Sequence, residues 1–149
     1  VYLACRGVTR SRFSLLRPAQ TDSTMLSARE LVDLVHLSNV GNMLVAELSH
    51  GQQRQLEIAM ALAGAPRFIL FDEPAAGLSP AERNELIEIL TALPEHIGYI
   101  IIEHDLDVAL RVVESVTMMH NGRIFKEGKP EEIESDREVQ ELYLGGGHG

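Results

Sequence analysis

At 149 residues the chain is long enough for one domain with a sizeable core. Its 45% hydrophobic and 23% charged residues are ordinary for a globular protein, and no apolar run approaches the roughly 18 residues that a membrane-spanning helix needs. A formal net charge of −9 argues against a nucleic-acid binder, whose affinity rests on phosphate contacts, and a single cysteine, Cys5, excludes an internal disulfide or a cysteine-based zinc site and fits a reducing compartment.

The chain starts at Val1 rather than Met and lacks the basic-then-apolar pattern of a secretory leader, so a piece cut from something longer is expected. Residues 1–20 carry Arg6, Arg10, Arg12 and Arg17 and no acid, while the last stretch is acid-rich from Glu127 to Glu141. The basic start reads either as a solvated helix or loop, or as a surface facing a membrane partner or lipid headgroups. Pro18 and Gln20-Thr21-Asp22-Ser23-Thr24 read as a loop. Ser27-Ala28-Arg29-Glu30 has the pattern of a capping box, with Leu31, Leu34 and Val35 following at helical spacing.

A second capping box, Ser49-His50-Gly51-Gln52, opens a helix that runs to about Ala63. Leu56, Ala59, Met60 and Ala63 share one face of it, and Gly64 and Pro66 end it. Phe68-Ile69-Leu70-Phe71 is a short continuous apolar run, which predicts a strand covered on both faces. Ser79-Pro80-Ala81-Glu82 starts a third helix with proline at its first position, and Leu86, Ile89, Leu90 and Leu93 form its buried stripe. Gly98 precedes a second buried strand, Tyr99-Ile100-Ile101-Ile102. Asp105 can cap the next helix, with Val108, Ala109, Val112 and Val113 inward. Residues 116–120 and 123–126 flank Asn121-Gly122, a strong hairpin signal. The tail from Pro130 to Leu144 reads as two short helices, and Gly145-Gly146-Gly147 as a frayed end. Buried strands alternating with helices predict an α/β fold with a mostly parallel sheet, whose chemistry sits at the carboxyl ends of the strands.

The informative residues fall at those ends. Phe68 to Phe71 run into Asp72-Glu73-Pro74, two adjacent carboxylates. Such an Asp can serve as an oxygen ligand near Mg²⁺, and the following Glu can act as a general base toward water. A strand ending in solvated acids before a proline turn fits the same residues. Leu48-Ser49-His50-Gly51-Gln52 places a hydroxyl and a glycine at a helix start, where free N–H groups can receive an anion. An ordinary capped helix fits these residues as well. Ile100-Ile101-Ile102-Glu103-His104-Asp105 puts His104 just past a buried strand, as a phosphate contact or as a satisfied structural histidine.

Taken together, these segments resemble the ABC ATPases. Leu48-Ser49-His50-Gly51-Gln52 is similar to the signature motif, Phe68 to Pro74 to the Walker B segment with its catalytic Glu, Ala76-Gly77-Leu78-Ser79 to the D-loop, and Glu103-His104-Asp105 to the switch-histidine loop. Order and spacing agree over nearly the whole chain. The stretches 57–63, 73–80 and 138–145 further resemble the ATP-binding subunits of branched-chain amino acid importers and of related urea and amide importers. The resemblance implies a helical signature subdomain with the start of the core over residues 1–66. It places the C-terminal part of the ATPase core over 67–129 and a tail over 130–149.

It also implies ATP and Mg²⁺ as cofactors, and the following roles. Asp72 holds Mg²⁺ through water, Glu73 activates the attacking water, and His104 senses the γ-phosphate. Ser49, His50, Gly51 and Gln52 meet the ATP bound to a second ATPase subunit, and Ser79 lies in the D-loop. The implied partners are that second subunit, as a homo- or heterodimer, transmembrane permease subunits and, indirectly, a periplasmic or extracellular solute-binding protein, with no nucleic acid. The implied location is peripheral, at the cytoplasmic face of the membrane.

The chain departs from the family pattern in two places. The phosphate loop G-x-x-x-x-G-K-[ST] is absent: the one Gly-Lys pair, Gly128-Lys129, is followed by Pro130, and Arg123 stands where its first Gly belongs. Ser79 stands where the D-loop usually ends in Asp. By the resemblance the chain begins just after the glutamine loop, and alone it is expected to be inactive. A non-catalytic half-domain that donates its signature motif is a second reading. A non-transport ABC ATPase of DNA repair or translation is a third, disfavoured by the acidic charge and the lack of coiled-coil heptads.

Overall fold

The computed structural model describes residues 1–7 and 23–145. The basic residues Arg10, Arg12 and Arg17, with Pro18 and residues 20–22 of the expected loop, lie outside the described residues, as do Gly146 and Gly147. The chain forms two compact units, residues 1–102 and residues 103 onward. The fold is α/β.

The first unit contains α1 (Tyr2–Gly7), α2 (Ser23–Leu34), α3 (His50–Leu62), β1 (Phe68–Asp72), α4 (Pro80–Thr91) and β2 (Gly98–Ile102). Helix α2 begins at Ser23, four residues before the expected start, so Ser23 and Thr24 are helical and Ser27 is not a cap. Met25 and Leu26 are good helix formers, and Glu30 serves a helix interior as well as a capping box. The end of α2 is a Schellman turn. His36 stands at φ 60, its N–H donates to the Asp33 carbonyl (3.0 Å), and the Leu37 N–H donates to the Val32 carbonyl (2.9 Å). Val35 and Leu37 are buried beside it. Cys5, Ala28 and Ala63 form a small-residue cluster, with Val1, Ala4 and Leu31 packed around it.

Helix α3 buries Gly51, Gln55, Ile58, Ala59 and Leu62. The buried face is therefore turned from the expected one. Met60 is 50% exposed, and a polar residue, Gln55, lies inside, where its amide donates to Glu85 Oε2 of α4 (2.7 Å). A polar contact chosen by the neighbouring helix outweighs the purely apolar stripe. Helix α3 ends before Gly64 and Pro66 as expected, and past it Ala65 is left-handed at φ 49. Helix α4 starts at Ser79 and Pro80 as expected and buries Leu86, Ile87, Ile89 and Leu90.

Strands β1 and β2 pair in parallel, Phe68 against Gly98 through Asp72 against Ile102. One face holds buried Ile69 and Phe71, with the Tyr99 ring edge-on to Phe71 at 6.0 Å. The expectation of cover on both faces fails. Phe68, Leu70, Ile100 and Ile102 share the other face and are exposed. Period-2 alternation with only one face packed accounts for the pattern. Gly98 permits close packing there, since a Cβ on it would lie 2.8 Å from the Phe68 ring.

The second unit contains α5 (Leu106–Val112), β3 (Val116–His120), β4 (Arg123–Gly128), α6 (Pro130–Ser135) and α7 (Arg137–Gly145). Asp105 caps α5, accepting from the Asp107 N–H at 3.1 Å. Asn121 at φ 50 and Gly122 at φ 73 make the expected two-residue hairpin turn. A bulge at Met118/Met119 lets β4 carry one extra residue. Asp136 separates α6 from α7. It accepts from the Glu138 and Val139 N–H groups (2.9 and 3.1 Å) and pairs with Lys126 Nζ of β4 at 2.7 Å. Val108, Ile133 and Val139 are buried in this unit.

Candidate functional site

The first unit holds most of the candidate residues. At the end of β1, Asp72 and Glu73 are both exposed carboxylates. Glu73 turns the chain: its backbone sits at φ 45, its N–H donates to the Ile102 carbonyl of β2 (2.8 Å), and its carbonyl accepts from Ala76 N–H (3.1 Å). A non-glycine residue at positive φ, placed before a proline that disfavours helical backbone, is strained. The turn continues through Gly77 at φ 75, and His50 packs against it. A Cβ on Gly77 would lie 3.3 Å from His50 Nε2.

The turn before α3 has the expected capping box. Ser49 Oγ accepts from the Gln52 N–H (3.2 Å), and Gln52 Oε1 accepts from the Ser49 N–H (3.0 Å). The turn before α4 repeats the arrangement with Ser79 and Glu82. What the sequence does not display is that Glu82 joins the two turns. Its Oε2 accepts from Ser79 N–H (2.9 Å) and Ser79 Oγ (2.7 Å). Its Oε1 accepts from Gly51 N–H (3.1 Å) and Ser49 Oγ (3.4 Å). These bonds, the Ser79 N–H foremost, hold the Glu82 carboxyl below the ordinary carboxylate range against a partial opposing effect of burial. Ser49, Gly51 and Ser79 are thus brought together through a residue whose visible signal was only a local capping box.

His104 lies in the second unit, exposed, between β2 and the Asp105 cap. Its carbonyl accepts from Tyr143 Oη of α7 at 3.2 Å. The tail therefore reaches back to the histidine loop, which local reading cannot reveal.

Among the described residues no group of three or more His, Cys, Asp or Glu is arranged to hold a metal by itself. An exposed carboxylate at a strand end, such as Asp72, does fit Mg²⁺ that keeps its waters and shares phosphate oxygens. Likewise, a turn that offers a hydroxyl and a backbone N–H to one carboxylate oxygen offers the same donors to a phosphate oxygen.

Residues 7–76 match the family model of the ABC transporter domain. The chain is 37% identical over 119 residues to the lipopolysaccharide export system ATP-binding protein LptB of Haemophilus influenzae, covering 79% of this chain and 49% of the relative. It is 34% identical over 120 residues to the high-affinity branched-chain amino acid transport ATP-binding protein BraF of Pseudomonas aeruginosa, covering 79% of this chain and 47% of the relative. The structure of MJ1267, an ATP-binding cassette of an ABC transporter, superposes with a TM-score of 0.74 at 28% identity, over 95% of this chain and 60% of that one. The chain thus spans about half the length of the curated relatives it matches.

Proposed function

We propose that this chain belongs to the ABC transporter ATP-binding family and works as part of a transport ATPase, with its α3 turn closing over the ATP of a second ATPase subunit. The observation that carries the reading is the convergence of Ser49 Oγ and Gly51 N–H on one carboxylate oxygen at the start of a 13-residue helix. Those donors, helped by the partial positive charge of the helix start, suit a γ-phosphate oxygen. His50 and Gln52 complete the turn.

In this reading Asp72 holds Mg²⁺ through water, Glu73 draws a proton from the attacking water, and His104 contacts the γ-phosphate. Mg²⁺, when bound, supplies charge neutralisation on the phosphates. The turn at Ser79 serves as the D-loop. The chain contains no G-x-x-x-x-G-K-[ST], so the phosphate cradle for its own Asp72 and Glu73 must come from outside these 149 residues. The presence of Asp72, Glu73 and His104 together favours a catalytic subunit over a half-domain that only donates its signature turn.

The transport reading extends to an importer of branched-chain amino acids or related small polar solutes. It is supported by the likeness to BraF and by residues 73–80 and 138–145, while the comparable likeness to LptB supports an export role. Permease subunits, with a solute-binding protein acting through them, complete the assembly. No helix among the described residues is long and apolar enough to cross a membrane, which suits a peripheral subunit on the cytoplasmic face.

Complementation in trans tests the reading. The chain is titrated into a complete ABC ATP-binding subunit whose own signature serine has been replaced. ATP hydrolysis is expected to rise with added chain and to stay flat with the Ser49→Arg variant. No rise, at concentrations where cross-linking captures the mixed pair, overturns the reading. Alone, the chain is expected to bind ATP poorly and not to turn over. Robust hydrolysis by the isolated chain that disappears in Glu73→Gln would refute that expectation.

A further inference from the structure

We propose that Glu82 is an internal oxyanion that occupies the start of α3 and is exchanged for phosphate, so that filling the Ser49–Gly51 turn is transmitted to the Ser79 turn. The proposal rests on the phosphate reading of that turn given above and adds a residue which that reading does not contain.

An ordinary capping box uses one carboxylate oxygen, which reaches back to the cap N–H. Glu82 does this with Oε2, on Ser79. Its other oxygen bonds a different helix, 31 residues away in sequence. There it bonds a backbone N–H and a hydroxyl, the pair of donors a phosphate oxygen would take. The approach is close: a Cβ on Gly51 would lie 2.4 Å from Glu82 Oε1, so a larger residue there would make the Glu82 side chain move. The seam beside it is polar too, with Gln55 bonded to Glu85 and His50 against Gly77.

A phosphate oxygen on Gly51 N–H and Ser49 Oγ cannot share those donors with an ionised carboxylate, because like charges at contact distance repel. Oε1 must therefore leave when phosphate arrives. Oε2 remains on Ser79, so the departing arm turns the carboxylate about the Ser79 contact. Glu82 is a positioning residue: it acts on the bound anion through Gly51 and Ser49, and on the D-loop turn through Ser79.

The test is a titration of the 149-residue chain with inorganic phosphate, followed by backbone amide resonances. Native chain, Glu82→Gln and Glu82→Ala are compared, the glutamine variant keeping the side-chain shape if alanine weakens α4. The expected result is that Gly51 and Gln52 amides shift at phosphate concentrations at least about tenfold lower in both variants than in the native chain, since a charge-assisted competitor has been removed. In the native chain the Ser79 amide should move with the same midpoint as Gly51. Equal midpoints at Gly51 in all three proteins would overturn the exchange while leaving the phosphate reading of the turn standing. No shift at Gly51 in any of them would overturn both.

Discussion

Glu73 carries two demands at one position. Its carboxylate is the candidate base, and its backbone holds φ 45 directly before Pro74, where helical and left-handed backbone are both disfavoured. Holding a non-glycine residue there costs on the order of 1–2 kcal/mol. Glycine would relieve that strain and give back part of the gain through the larger freedom of its unfolded chain, roughly 0.5–1 kcal/mol. Glu73→Gly is thus expected to unfold at a urea midpoint equal to or slightly above that of Glu73→Ala, since both lack the carboxylate and differ only in the backbone. A loss of more than about 1 kcal/mol in Glu73→Gly relative to Glu73→Ala would mean that the backbone of the turn is not strained. His36, at φ 60 in the Schellman turn of α2, offers a control without functional content. His36→Gly is expected to stabilise by up to about 1 kcal/mol for the same reason.

Between elements, single side chains join what the chain separates, and each junction has its own readout. The Glu82 fork joins the starts of α3 and α4. Its carboxyl is held below its ordinary value of 4.5, first by the Ser79 N–H. A folded value below the unfolded one means the folded state binds fewer protons in that range. The stabilisation is then complete above about pH 4.5 and is lost as pH falls through the folded value. Asp136, lowered first by its bond to Lys126, adds a second acid-sensitive step in the other unit, so the native profile alone does not isolate the fork. The difference between native and Glu82→Gln does. Their unfolding midpoints should converge as pH drops below 4.5, and midpoints that stay parallel through that range would show that the fork is not formed in solution. The α7 junction is tested differently. Tyr143→Phe removes the hydroxyl that donates to the His104 carbonyl. For a half-exposed bond worth about 0.5 kcal/mol, amide exchange around residues 104–106 should quicken roughly two- to threefold. Unchanged exchange would mean that the tail does not steady the histidine loop.

Over the whole chain, what was legible in the sequence is what is local. Ser49-Gln52, Ser79-Glu82, Asp105, Pro130 and Asn121-Gly122 specify caps and a turn within four residues, and each appears where the residues put it. What was not legible depends on distant partners: the second oxygen of Glu82, the buried amide of Gln55, the reach of Tyr143, and which faces of β1 and β2 are covered. The last of these has a physical consequence. Parallel strands rarely leave a face bare, yet Phe68, Leu70, Ile100 and Ile102 line one side of this pair, with Leu70 at 70% exposure. Both strands are also edges of a two-stranded sheet, so the open face lies beside unpaired backbone groups. Apolar surface so arranged drives association in water. The 149-residue chain is expected to bind a hydrophobic dye and to sediment as more than a monomer at micromolar concentration. Threonine at Leu70 and Ile100 keeps the strand preference while removing apolar area. The double variant should therefore bind less dye and shift toward monomer, with stability changed by no more than about 0.5 kcal/mol per site, as for exposed positions. Destabilisation of more than about 2 kcal/mol, together with a native chain that is monomeric and silent to the dye, would mean that this face is packed in solution.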